Sequence, residues 1–151
     1  MIGLRLQNSP NGDLNEFGGI RALAVYSALE CGGALQANPS SGNVANASAV
    51  ATLAAAAGRM NYATGLEITF SGATAASVVI ATLTGALGGT MSFIIAVPAG
   101  VAVGGVPLTV EFNRPIQASA LNIAMTLTLP ALGVGNTNAC VNLHGFSTEA
   151  S

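Results

Sequence analysis

The sequence predicts an all-β fold: an antiparallel, jelly-roll-like β-sandwich of about eight strands, with an extended N-terminal arm. Apolar and polar residues alternate with a period of two in several segments, which is the pattern of a strand with one buried face. Turns rich in Gly, Pro and Asn separate these segments at intervals of about 12 residues, as in sandwiches and jelly rolls. The predicted strands do not alternate with helices, so the sequence does not predict a parallel α/β sheet.

Residues 62–97 carry the strongest strand signal. Turns at Ser71-Gly72 and around Gly88-Gly89 divide this segment into three strands, 62–70, 76–84 and 91–97, which we expect to form a consecutive antiparallel meander. The side chains predicted to face the core share one parity in each strand: Tyr62, Leu66, Ile68 and Phe70 in the first strand, and Met91, Phe93, Ile95 and Val97 in the third.

Residues 47–57 form the most ambiguous segment. Alanine is a strong helix former, Asn46 suits a helix N-cap and Gly58 suits a helix end, so a helix is one alternative. We favour a strand, because a strong strand follows at once and residues 58–61 suit a short hairpin connection. Residues 22–29 are also predicted as a strand, and residues 36–46 as a loop.

The C-terminal third predicts three more strands. Residues 107–112 alternate until Asn113-Arg114-Pro115 breaks the pattern, and residues 121–129 alternate most regularly. Residues 139–146 form the last predicted strand. The predicted inward side chains are Leu108, Val110, Phe112, Leu121, Ile123, Met125, Leu127, Leu129, Val141 and Leu143, and Asn142 and His144 are predicted to face outward.

The chain is predicted to consist of an arm, residues 1–20, and a single sandwich domain, residues 21–151. Turn-forming residues from Asn8 to Asp13 interrupt any regular element in the arm. Apolar residues without a period flank this turn, and we expect them to contact a neighbouring subunit. These interface candidates are Leu4, Leu6, Phe17 and Ile20. The alternative is a frayed terminus.

Charged residues are scarce. They make up 7% of the 151 residues, against roughly 25% in ordinary soluble domains. A folded monomer of 14.8 kDa exposes about 7,000 Å², and so few charges over that area predict that other subunits cover much of the surface. We therefore expect a homotrimer or larger ring. The alternative is a surface made polar by the abundant Thr, Ser, Asn and Gln.

The net charge of −2, without a basic patch, predicts no nucleic-acid partner and no binding to anionic membranes. Mean hydropathy is high, at +0.61, yet the uncharged stretch between Glu67 and Glu111 has a period of two and is interrupted by Gly and Pro, so it does not predict a transmembrane helix. The first residues turn polar at Gln7 before any signal-peptide core forms. We expect synthesis in a cytoplasm.

No catalytic constellation is visible, and we expect neither an enzyme nor a cofactor or metal site. His144 is the single His, and the chain has no Lys. Cys140 lies in the same predicted strand as His144, about 13 Å away along it, which is too far for a nucleophile–base pair. Cys31 and Cys140 are expected to be small buried thiols, with a disulfide as the less favoured alternative in a reducing compartment.

Glu67 and Glu111 are predicted to point away from the core. They could meet as a pair of acids, or they could form ion pairs with Arg59 and Arg114. We favour ion pairs, because four arginines need partners on a surface with few charges.

The run from Leu53 to Gly85, LAAAAGRMNYATGLEITFSGATAASVVIATLTG, resembles small structural proteins of tailed bacteriophage virions. The resemblance continues loosely over roughly the last hundred residues and leaves residues 1–45 outside. It implies a capsid decoration, or cement, protein with a jelly-roll fold, commonly trimeric, that binds the major capsid protein on the virion exterior. The quoted motifs specify turns, so the resemblance transfers no catalytic residue.

A receptor- or glycan-binding module of a phage tail fibre or spike is the alternative function. Such sites generally present exposed aromatic side chains beside carboxylates or amides. Most of the few aromatic residues here, Tyr62 among them, have core parity, which favours the decoration protein.

Overall fold

Two four-stranded antiparallel sheets form the part of the chain that the computed structural model describes, residues 34–149. Sheet 1 has the strand order β1-β8-β3-β6, and sheet 2 has the order β2-β7-β4-β5. The strands are β1 Leu35–Ala37, β2 Ala49–Leu53, β3 Arg59–Phe70, β4 Ser77–Thr84, β5 Met91–Val97, β6 Leu108–Gln117, β7 Met125–Leu129 and β8 Ala139–Glu149. Within residues 34–149, no helix has the length and apolar character needed to cross a membrane.

The strand orders have jelly-roll connectivity. β4 pairs with β5, β3 with β6, β2 with β7 and β1 with β8, so the pairs are nested around the β4–β5 hairpin and alternate between the sheets. A long antiparallel hairpin rolled into two sheets produces this order. The predicted all-β sandwich is therefore confirmed.

The second hairpin of the predicted meander is confirmed, because β4 and β5 pair antiparallel. The first is wrong, because β3 lies in sheet 1 whereas β4 and β5 lie in sheet 2. Both edges of β3 pair with strands distant in sequence, β6 and β8. The predicted hairpin across residues 58–61 fails for the same reason, since β2 belongs to sheet 2 and pairs with β7. Glycine-rich turns indicate where a strand ends, but they do not decide which sheet the next strand joins.

The core is aliphatic and lies between the two sheets. Its largest fully buried side chains are Leu53, Leu66, Ile68, Leu83, Met125, Leu127, Leu129, Leu132, Val141 and Leu143. The predicted parity is confirmed for β5 and β8 and for the second half of the segment 121–129. Each large side chain contributes about 1.5–3 kcal/mol by burial, so correct alternation is the main source of stability.

Tyr62 is the exception to the predicted parity in β3. Thr64 is an extra residue between two paired positions, Ala63↔Gly145 and Gly65↔His144. Such a bulge reverses the faces of a strand, because side chains alternate with every residue. Leu66 and the later core residues of β3 face inward as predicted, whereas Tyr62 faces outward and its ring stacks on Phe146.

The predicted strand 121–129 is shorter in the structure, because a turn occupies its first half. Asn122 has a positive φ of 61°, accepts a hydrogen bond from Gly58 N–H at 2.6 Å through Oδ1, and donates its own N–H to Arg59 O at 2.9 Å. Leu121 and Ile123 are consequently exposed rather than buried. An Asn that forms local hydrogen bonds competes with strand formation, and the alternation of apolar residues gives no sign of this competition.

Two other strand limits differ from prediction. β6 continues through Pro115 to Gln117, because it is the edge strand of sheet 1 and a Pro there removes no required ladder hydrogen bond. The predicted loop 36–46 contains the end of β1. The strand chosen for residues 47–57 over the helix alternative is confirmed across Ala49–Leu53. The predicted strand 22–29 and the domain boundary near residue 20 lie outside the described residues.

Asn61 is a buried polar residue that joins three segments of the sandwich. Its Nδ2 donates to the carbonyl oxygens of Ala54 at 3.0 Å and Ile123 at 2.9 Å, and more weakly to that of Leu53 at 3.3 Å. The side chain is 4% exposed. It therefore satisfies carbonyl groups at the end of β2 and in the turn before β7.

Replacing Asn61 with Leu is expected to lower the free energy of unfolding by about 2–4 kcal/mol, because at least two carbonyl groups near the core lose their donor. Urea denaturation followed by circular dichroism measures the change. Asn113→Leu, at an exposed position of β6, is the control and should change stability by less than about 0.5 kcal/mol. Equal effects of the two substitutions would contradict this role of Asn61.

Candidate functional site

The charged residues of the described region lie on one sheet. Residues 34–149 include five charged residues, and all of them are on strands of sheet 1. They are Arg59, Glu67, Glu111, Arg114 and Glu149. The strands of sheet 2 and every described loop are uncharged, so the two outer faces of the sandwich differ in chemistry.

The outer face of sheet 2 is apolar and threonine-rich. Its large apolar side chains are Val50, Val78, Ile80 and Ile94, which are 44%, 67%, 51% and 76% exposed. Ile80 and Ile94 occupy directly opposed positions on β4 and β5, so they form one continuous patch. We call these four residues and the uncharged side chains between them the uncharged face.

Threonines fill the other half of the uncharged face. Thr52, Thr126 and Thr84 form one row across β2, β7 and β4, and Thr128 and Thr82 lie in the next row. The hydroxyls of Thr52 and Thr126 are 3.1 Å apart and hydrogen-bonded. The hydroxyl of Thr84 donates to the carbonyl oxygen of Thr126 at 3.3 Å, so all three hydroxyls of the first row have a partner within the protein.

Sequence reasoning missed the uncharged face, although the sequence contained a signal for it. Val78-Val79-Ile80 and Phe93-Ile94-Ile95 are uninterrupted apolar runs inside otherwise alternating strands. Such runs are typical of strands that are covered on both faces. Our prediction considered only the parity that faces the core.

Ion pairing on the strands of sheet 1 differs from prediction. Arg59 pairs with Glu149, with Nη1 3.4 Å from Oε1, and Arg59 also donates to the hydroxyl and the carbonyl of Ser147, each at 2.9 Å. Among the described residues, neither Glu67 nor Glu111 lies within 4.0 Å of an arginine nitrogen. The ion pairs favoured for these two glutamates are therefore wrong, because the register places Arg59 opposite Glu149.

Glu67 instead belongs to a network around His144. Nε2 of His144 lies 3.8 Å from Oε1 of Glu67, and Asn142 donates through Nδ2 to Oε2 of Glu67 at 3.2 Å. On the other side of the imidazole ring, Nδ1 lies 3.3 Å from Oδ1 of Asn38, just after β1. The network holds the imidazole and the carboxylate in defined orientations on the outer face of sheet 1.

A cleft of about 250 Å³ opens beside this network. Thr64, Gly65, Glu111, Phe112 and His144 line it. These residues come from three neighbouring strands, at the point where the bulge of β3 interrupts the ladder on both sides. We call it the bulge cleft.

Aromatic side chains continue the same outer face beyond the bulge. Tyr62 and Phe146 are directly opposed on β3 and β8, and their rings stack with centroids 5.1 Å apart and planes at 14°. Both residues are half-buried. The structure therefore brings aromatic rings, carboxylates and amides onto one face, although parity predicted that Tyr62 belongs to the core.

The remaining predicted residues divide into two groups. Cys140 is half-buried on the outer side of β8, near the hydroxyl of Ser40 at 3.6 Å, so the expectation of a buried thiol is wrong for this residue. Cys31 and the four interface candidates in the arm lie outside the described residues. Within residues 34–149, no three His, Cys, Asp or Glu side chains are grouped in a way that could hold a metal ion.

Comparison of the chain with protein-family models, with curated proteins and with solved structures gives no match.

Proposed function

We propose that the protein is a structural subunit of a bacteriophage virion, a decoration (cement) protein that binds copies of itself and the major capsid protein on the outside of the capsid. The observation that carries this proposal is the uncharged face of sheet 2. It is a sheet surface with exposed Val and Ile and without a charged residue.

The chemistry of the uncharged face suits a protein–protein contact. The centres of interfaces are depleted of charged residues, and large exposed apolar patches on a monomer generally mark interaction sites. Covering Ile80 and Ile94 removes apolar surface from water without leaving any charge on this face unpaired. Sheet 1 carries the described charges and is suited to face solvent.

Two further considerations support a virion subunit. Jelly rolls occur in viral capsid proteins, which is an analogy at the level of fold. The sequence between Leu53 and Gly85 resembles small structural proteins of tailed bacteriophages, and the β2–β4 part of the sandwich lies within that run. The four apolar residues of the arm are proposed as additional contacts to a neighbouring subunit or to the capsid.

Mass spectrometry and cryo-electron microscopy of virions that encode the chain test the proposal directly. We expect a copy number in the hundreds, density on the capsid exterior, and sheet 2 turned toward other protein subunits. Absence of the chain from purified particles would contradict a structural role.

Replacing Ile94 with Glu is expected to abolish self-association while leaving the domain folded, because the side chain is 76% exposed in the single chain but would bring an unpaired carboxylate into the interface. Sedimentation velocity at micromolar concentration should show a homotrimer or larger ring for the unsubstituted protein. The Ile94→Glu protein should sediment as a monomer with an unchanged circular dichroism spectrum.

Thr69→Glu is the control, since it adds the same charge at an exposed position on the outer face of sheet 1. It should leave the oligomer intact. A stable monomer for the unsubstituted protein, or equal dissociation by both variants, would show that the uncharged face is not the self-contact.

A second candidate function is a receptor-binding module of a tail fibre or spike. The outward position of Tyr62 and Phe146 favours it, because the main objection from sequence was a lack of exposed aromatic residues. A few copies at the tail, rather than hundreds on the capsid, would identify this function in the same cryo-electron microscopy experiment.

A further inference from the structure

We propose that the bulge cleft of sheet 1 binds one ring of an uncharged saccharide. This inference does not depend on whether the protein sits on a capsid or on a tail. The cleft has a volume of about 250 Å³, slightly below the range of about 300–1,000 Å³ typical of sites for drug-sized ligands. A single sugar ring is a ligand of suitable size.

The backbone, rather than a chance gap between side chains, forms the cleft. On the β8 side, Thr64 has no counterpart between Gly145 and His144. On the β6 side, the four residues 112–115 stand opposite Thr64 alone, between the paired positions Ala63↔Ile116 and Gly65↔Glu111. β-Bulges reorient side chains and are over-represented next to functional sites.

Glu111 supplies an available hydrogen-bond acceptor at the cleft. It is exposed, it lines the cleft, and no cationic nitrogen of the described residues lies within 4.0 Å of it. Glu67 lies diagonally across the β3–β6 ladder from Glu111, at about 7–8 Å between Cα atoms for such a pair. Two carboxylates at this spacing can accept hydrogen bonds from different hydroxyl groups of one sugar ring.

Neighbouring side chains hold Glu67 and His144 in place. Asn142 and His144 contact the Glu67 carboxylate, and Asn38 contacts the far side of the imidazole. Groups fixed in advance lose little conformational entropy on binding, which favours recognition of a small ligand that makes few contacts. The His144 ring is 38% exposed and is therefore accessible at the wall of the cleft.

Phe112 also lines the cleft, where it is half-buried because its side chain packs against the hydrophobic core. The C–H face of a sugar packs on an aromatic ring, whose face is electron-rich, while the hydroxyls point sideways to the polar groups. The stacked Tyr62 and Phe146 lie on the same outer face, beyond the bulge along β3 and β8. They offer a second apolar platform for a longer saccharide whose first ring occupies the cleft.

The charge of the cleft selects against acidic ligands. Glu67 and Glu111 both face this region, so a carboxylated, sulfated or phosphorylated sugar would be repelled by like charge. An uncharged ring avoids this repulsion and uses the carboxylates as acceptors. The proposed ligand class is therefore neutral hexoses and N-acetylhexosamines, free or at the end of a glycan.

Nuclear magnetic resonance of the full chain tests the proposal. Glucose, galactose, mannose and N-acetylglucosamine are titrated separately into ¹⁵N-labelled protein, with N-acetylneuraminic acid as an acidic comparison. We expect at least one neutral sugar to shift the amides of Gly65, Glu111 and His144, with a dissociation constant on the order of 1–10 mM, the range for a ligand of about twelve non-hydrogen atoms at ordinary ligand efficiency. The acidic sugar should bind at least about tenfold more weakly.

Substitutions then locate the site. Glu111→Ala, at an exposed residue, should keep the dispersion of the spectrum and weaken sugar binding about tenfold or more, because a hydrogen bond to a charged group is lost. Glu149→Ala removes a carboxylate of the same sheet away from the cleft, and it should leave binding unchanged. Phe112→Leu should weaken binding while retaining an apolar core contact, which separates loss of the aromatic wall from loss of fold.

Four outcomes would overturn the proposal. One is the absence of amide shifts with all four neutral sugars at a sugar concentration on the order of 50 mM, which is 50 times the lower expected dissociation constant. Another is binding that survives Glu111→Ala, which would place the ligand elsewhere. A third is equal or tighter binding of the acidic sugar, and a fourth is a response to Ca²⁺ alone without any response to sugar. Either result would assign the cleft to a different ligand class.

Discussion

Replacing Leu127 with Asp is expected to unfold the domain, whereas replacing its neighbour Thr126 with Asp is expected to leave it folded. Leu127 lies in β7, a central strand of sheet 2, between Ala51 and Leu83, and is fully buried. The substitution loses about 1.5–3 kcal/mol of apolar burial and places an unpaired carboxylate in the core, at a further cost of several kcal/mol. The sum approaches the entire net stability of a domain, about 5–15 kcal/mol.

Thr126 provides the matched control, because it lies on the outer side of the same strand. Its hydroxyl pairs with that of Thr52, so Thr126→Asp forfeits one hydrogen bond of about 0.5–1.5 kcal/mol. Soluble yield and thermal unfolding by circular dichroism distinguish the two variants. Equal loss of folded protein would mean that the register of β7 is wrong. Since Thr126 lies on the uncharged face, a folded Thr126→Asp protein that fails to self-associate would support the proposed interface.

Replacing Gly85 with Ala is expected to destabilise the domain by about 3 kcal/mol or more, well beyond the effect of the same change at Gly88. Gly85 has a φ of +81°, and a Cβ atom there would overlap the carbonyl oxygen of Ala124 in the segment leading into β7. A positive φ costs a residue with a side chain roughly 1–2 kcal/mol. Displacing a backbone carbonyl beside the core adds to that cost.

Gly88 separates the cost of a positive φ from the cost of steric overlap in the loss of stability. It lies in the same β4–β5 turn with a φ of +98°, but a Cβ atom there would meet nothing within 4 Å. Gly88→Ala should therefore cost about 1–2 kcal/mol, measured by urea denaturation alongside Gly85→Ala. If both variants lose the same stability, the close approach of Gly85 to Ala124 is not a determinant of the fold.

The uncharged face and the bulge cleft lie on opposite sides of the sandwich, which has a consequence for assembly. If sheet 2 is buried against other subunits, the outer face of sheet 1 stays open to solvent on the assembled particle. A saccharide site there remains accessible at high copy number. Weak binding by one cleft would then become useful through many copies acting together.

The strand content could be predicted from the sequence because the relevant information is local. Alternation in residues 91–97 and 139–146 places Ile95 and Leu143 in the core, since successive side chains of any strand point to opposite faces. The same logic failed at Tyr62 and at Leu121. A single extra residue, Thr64, and a single side-chain-bonded turn at Asn122 each interrupt the period without any change in apolar pattern.

The candidate sites were less predictable because their residues come from distant parts of the chain. Asn38, Glu67 and His144 are brought together by the pairing of β8 with both β1 and β3. Nothing in the local sequence of any one of them indicates the other two. The pairing of Arg59 with Glu149 likewise follows from strand register, which depends on how well both strands bury their inner faces.

By itself, the sequence determined that the protein is an all-β sandwich, which residues of most strands are buried, and that charge is scarce. These properties follow from composition and from the two-residue period of an extended chain. Tertiary structure alone decided which strands share a sheet, and hence that the described charges lie on sheet 1 while sheet 2 has none. Strand partners are selected by hydrogen bonding and burial over the whole chain, so neither the uncharged face nor the bulge cleft is set by any local pattern.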